Sequence, residues 1–134
     1  MPNALKKKSA SNNLIKWKDR LARLAADVKK WAKDEGWPIA SEKKTIAEEG
    51  LAPYSVTVLH LNTPEGRIDL EPVGVRVLGA NGRVDLTAWP SLNRVRLVAN
   101  GGAWVIYTDS NIRWPKDWNR ATFVELAREL AASK

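Results

Sequence analysis

Cysteine is absent from the 134 residues, which removes disulfides, thiolate zinc sites and cysteine nucleophiles together. The same absence suits a reducing compartment, so the expected location is the cytoplasm. Long apolar runs are missing too. None approaches the ~20 residues that span a bilayer, and no membrane partner is expected. The lysine cluster in MPNALKKKSASNN has no hydrophobic segment behind it, unlike a secretory signal. Residues 1–10 are expected as a flexible basic tail ahead of a single domain over 11–134, long enough to bury a core.

Histidine occurs once, at His60. A serine triad would need it beside a hydroxyl and a carboxylate. GxSxG is absent and no serine sits on a strand-to-helix elbow. Lysine is missing between Lys44 and Lys116. A restriction-nuclease-like core would use an Asp/Glu-x-Lys pair on a strand, but the pairs available are Asp69-x-Glu71 and Asp85-x-Thr87. The cations of this region are arginines, which stay protonated and transfer protons poorly. RNP motifs and zinc-finger spacings are absent as well. No cofactor is expected, and the residues favour a role other than enzymatic.

What the chain does hold is positive charge. Lys and Arg number 22 against 15 Asp and Glu, a net charge of +7. The excess is concentrated in residues 1–50, with 12 cations against 7 acids. Such a balance points to anionic partners, nucleic acid or an acidic protein surface. Its plain alternative is a solvated face that keeps the protein soluble.

Leu14, Trp17, Leu21, Leu24, Val28 and Trp31 recur at spacings of three and four, which predicts an amphipathic helix. Asn12 or Asn13 is its expected cap and Gly36-Trp37-Pro38 its stop. The pattern is short for a coiled coil, so the stripe should pack on the protein's own sheet. Residues 42–49 read as a short helix capped by Ser41 and ended by Gly50, with an irregular edge segment as the alternative.

From Tyr54 to Asp109 the chain reads as short strands joined by tight turns. YSVTVLHLNT is rich in β-branched residues, Thr63-Pro64-Glu65-Gly66 is a turn, and Ile68 and Leu70 alternate with Arg67, Asp69 and Glu71. His60 faces Asp69 in one hairpin register and Leu70 in the other. Asn81-Gly82 predicts a two-residue hairpin loop that sets Arg76 opposite Thr87 and Leu78 opposite Asp85. Asn100-Gly101 predicts another turn. With a three-residue loop, Val105 and Tyr107 join the Val95/Leu97 face, and Trp104 and Ile106 join the arginines. Finally, Thr122 and Glu125 form an expected capping box for a C-terminal helix.

The expected fold is α+β: an N-terminal helix, an antiparallel β-meander of about six strands and a C-terminal helix. Its polar strand face should gather Arg67, Arg76, Arg83, Arg94 and Arg96 with Asp69, Glu71 and Asp85. Arg76, Arg83, Trp89, Arg94, Arg96 and Trp104 are the candidate binding residues, because cations beside tryptophans suit phosphates and stacked bases. The leading reading is a non-enzymatic binding module for nucleic acid or an acidic protein, working through this face or the basic first helix. Two alternatives stand beside it. One is a Mg²⁺-dependent phosphodiesterase-type hydrolase with Asp69, Glu71 and Asp85 as metal ligands. The other is a protein-interaction or oligomerisation domain joined through the sheet edge or the Trp17/Trp31 stripe.

Overall fold

The computed structural model describes residues 2–75 and 82–132, with residues 2–12 as backbone alone. Helix α1 (Pro2–Asp34) is followed by six strands and a closing helix. The strands are β1 (Ile39–Ile46), β2 (Tyr54–Thr63), β3 (Gly66–Gly74), β4 (Arg83–Trp89), β5 (Arg94–Asn100) and β6 (Ala103–Thr108), and the last helix is α2 (Arg120–Ala132). The strands form one sheet in sequence order, every neighbouring pair antiparallel. This is the expected α+β arrangement of helix, meander and helix.

Helix α1 runs through Asn12-Asn13 instead of starting there. Nothing between Pro2 and Gly36 breaks a helix, and proline suits a first helical position. The stop falls where glycine predicts it. Gly36 takes φ +77°, Trp37 N–H reaches the Ala32 carbonyl and Gly36 N–H reaches Lys33. That pair of bonds satisfies two end carbonyls of the helix and tucks Trp37 into the core.

Residues 39–46 form an edge strand and not a helix over 42–49. Ala40 pairs with His60 and Lys44 with Val56 in a continuous ladder. The backbone bonds offered by β2 outweigh the helical tendency of a short charged segment, since propensity yields to tertiary pairing. In β3–β4 the pairing also differs from the two-residue turn. Asp85 lies across from Glu71 and Thr87 across from Asp69, with a bulge between Pro72 and Gly74. The connection therefore spans residues 75–82, and Leu78, Ala80 and Asn81 lie outside the described residues. Gly82 is required by close approach: a side chain there would run into the Trp17 ring.

Both helices cover one face of the sheet. Trp17, Leu24 and Val28 of α1 and Phe123, Leu126 and Ala127 of α2 are buried in one cluster with Leu59, Leu61, Ile68, Leu86, Leu97 and Ile106. The Trp31 ring packs on Trp118 and Phe123 at centroid distances of 5.7 Å each. The Trp17/Trp31 stripe is thus consumed by the protein's own core, which removes it as a joining surface. Helix α2 is capped by Asn119 rather than Thr122. The Asn119 Oδ1 accepts from Thr122 N–H at 3.0 Å, while Thr122 is buried and Glu125 turns to Lys116.

Candidate functional site

Strand alternation sends the other face of the sheet toward solvent, and the arginines lie there. Across β2–β5 one row reads His60, Asp69, Thr87, Arg94, and across β3–β6 the next reads Glu71, Asp85, Arg96, Tyr107. Lys44 and Glu42 reach the same face from β1, and Asp109 reaches it from the end of β6. These three were not part of the expected face. Glu42 and Lys44 were hidden because β1 lacks alternation, most of its residues being exposed on both sides.

Each acid on this face is held by a cation. Asp85 accepts two bonds from Arg83, at 2.7 Å from Nε and 3.0 Å from Nη2, and lies 3.5 Å from Arg94 Nη1. The carboxylate pushes the Arg83 guanidinium pKa further up. Arg94 Nε donates to Asp109 at 3.0 Å. Arg67 lies 3.1 Å from Asp69, and Lys44 donates to Glu71 at 2.7 Å. Arg96 differs. It bonds the Thr108 carbonyl and the Asn111 Oδ1, and its buried Nε has no partner. Arg76 lies outside the described residues.

The pairing takes the register that sets His60 against Asp69. His60 Nδ1 donates to Asp69 Oδ1 at 2.6 Å and Nε2 to Glu42 Oε1 at 2.8 Å. Two ionised carboxylates accept only, so satisfying both requires the doubly protonated ring. The hydrogen bond to Asp69 raises the His60 pKa most, burial opposes it, and Glu42 adds to the rise. Among the described residues no serine, threonine or other nucleophile bonds the ring, and its two bonds clasp β1, β2 and β3 together.

The metal alternative finds no geometry. Among the described residues no group of three or more His, Asp or Glu is gathered to hold an ion. Asp69, Glu71 and Asp85 instead point to separate cations.

The two tryptophans part company. Trp104 pairs across from Ala99 on the helix-covered face, and its ring meets Trp17 at 6.1 Å with the Arg20 guanidinium at 5.9 Å. Asn100 pairs with Ala103, so the loop has two residues, Gly101 and Gly102, and not three. That one-residue difference exchanges the faces, bringing Val105 and Tyr107 to the arginines and Ile106 to the core. Trp89 stays on the arginine face, 42% exposed, with Arg67 at 5.3 Å from its ring.

Cations outside ion pairs lie instead on α1, interspersed with the exposed Asp19 and Asp27. Lys16, Arg23, Lys29, Lys30 and Lys33 are exposed, and none forms an ion pair with a described residue. Asp34, the acid at the helix end, is taken by Arg120, while Arg20 donates to the Gly101 carbonyl. Among the described residues no helix is long and apolar enough to cross a membrane. No family model matches this chain, and neither a curated protein nor a solved structure matches it.

Proposed function

We propose that this protein is a non-enzymatic binding module for an anionic partner, nucleic acid or an acidic protein surface, with the outward face of α1 as its contact. One observation carries this reading: the acids of the sheet face are neutralised in place, whereas the exposed cations of α1 have no acid partners among the described residues. A guanidinium already bonded to a carboxylate must give that bond up to bind a phosphate. An exposed, unpaired ammonium gives up only water and counterions. Trp89, at the end of β4, keeps a stacking element beside Arg67 on the sheet face. The cysteine-free composition suits work in the cytoplasm.

Fluorescence anisotropy with labelled single-stranded RNA, single-stranded DNA and duplex DNA across a salt series tests the proposal. Binding is expected at low ionic strength, with log K falling linearly in log salt. No nucleic-acid binding at low ionic strength, with salt-sensitive binding to polyglutamate retained, leaves the acidic-protein form alone. Failure with both polyanions overturns the proposal.

A further inference from the structure

Helix α1 packs against β2 and touches β1, yet the β1 residues on that side, Ile39, Ser41, Lys43 and Thr45, stay exposed. Where the helix presents Ala22 and Ala25, the side chains are too small to fill the distance to Ser55 and Thr57 on β2. A cavity of about 200 Å³ remains there. Its depth is apolar, formed by Leu21 and Leu24 of α1 with Leu70 and Val84 of the sheet. Its polar groups are few: the Ser55 and Thr57 hydroxyls and Lys18.

Lys43 adds a second ammonium beside this space, because its Nζ donates to Thr57 Oγ1 at 3.1 Å. Lys18 sits 5.8 Å from the centre of the Tyr54 ring. Neither lysine is paired with an acid among the described residues. The cleft therefore joins an apolar depth to a mouth with two cations and two hydroxyls. An apolar pocket with a few convergent polar groups is the usual composition of a small-molecule site.

We infer that this cleft binds a small carboxylate bearing a short apolar tail, a ligand distinct from the polyanion proposed for the outward face of α1. The tail lies against Leu24, Leu70 and Val84, and the carboxylate accepts from Lys18 and from Ser55. Size sets the class. An apolar cavity of about 150 Å³ accepts benzene, so 200 Å³ holds roughly eight non-hydrogen atoms, the size of hexanoate. A neutral tail of the same length would bury the same area and leave both ammonium groups without an anion.

Amide correlation spectra of the isotope-labelled full chain, titrated with hexanoate and in parallel with 1-hexanol, provide the test. Expected are saturable hexanoate shifts confined to residues 18–25 of α1 and 55–57 of β2. Hexanol should bind about fivefold more weakly, the effect of one partly exposed ion pair. Lys18→Gln, at an exposed position, should weaken hexanoate by the same factor and leave hexanol unchanged. Ala25→Leu fills the space and should abolish binding of both. The inference is overturned by equal affinity for hexanoate and hexanol, by shifts spread over the basic surface, or by no saturable shift. It is also overturned by hexanoate binding retained in folded Ala25→Leu.

Discussion

His60 is held between Asp69 and Glu42, with Arg67 on the far side of Asp69, so its proton belongs to the structure. Its pKa in the folded state is raised, chiefly by the Asp69 hydrogen bond. A basic group with a raised folded pKa adds stability that is fully present below its unfolded value, about 6.5, and is lost as pH rises through the folded value. Urea unfolding from pH 5 upward should therefore show stability falling above pH 6.5 in the wild type. His60→Gln should remove that slope and cost about 1 kcal/mol at pH 5, as expected for partly exposed charged hydrogen bonds. An unchanged slope in the variant would assign the pH dependence elsewhere. At this scale the pairing of His60 was half legible: the sequence admitted Asp69 or Leu70, and the turn at Thr63–Gly66 decided between them. The face of Trp104 was not legible, because a two- or three-residue loop after Asn100 fits the same Asn-Gly signal. The side-chain period of two converts that ambiguity into opposite faces.

Elements that announce themselves by periodicity were found where expected, and those made by their neighbours were not. The α1 stripe and the Gly36 stop are local signals, and so is the alternation in β3 to β5. Strand β1 has no such signal, because at this edge most of its residues are exposed on both sides. Its strand form comes from the ladder with β2. The start of α2 shows a similar limit. Thr122 and Glu125 have capping-box spacing, yet Thr122 is buried and Asn119 provides the cap. Asn119→Ala should destabilise the protein by about 1 kcal/mol, whereas Glu125→Gln, on a largely exposed pair with Lys116, should stay within about 0.5 kcal/mol. Denaturant midpoints of the two variants measure this contrast. A capping box at Thr122 would give the reverse order of costs.

Across the whole molecule the two layers divide the charge between them. On the open side, carboxylates and arginines alternate and are bonded to one another, within a strand at Arg67–Asp69 and Arg83–Asp85 and across strands where Arg94 reaches Asp85 and Asp109. On the helix side, α1 carries cations outward that contribute nothing to the packing beneath them. Net charge alone does not distinguish these two uses, since only the pairing pattern does. The division predicts a crossed result. Lys29→Gln, Lys30→Gln and Lys33→Gln together should leave the denaturant midpoint within about 0.5 kcal/mol of wild type, because exposed side chains without partners stabilise little. The same triple variant should weaken duplex DNA binding and reduce the slope of log K against log salt by up to about 0.9 for each phosphate no longer neutralised. Arg83→Gln should do the opposite. Among the described residues it leaves the largely buried Asp85 with Arg94 alone, at 3.5 Å, which should lower stability by about 1–3 kcal/mol while the salt slope is kept. If Arg83→Gln were the variant to flatten the slope, the sheet face and not α1 would be the surface that meets the polyanion.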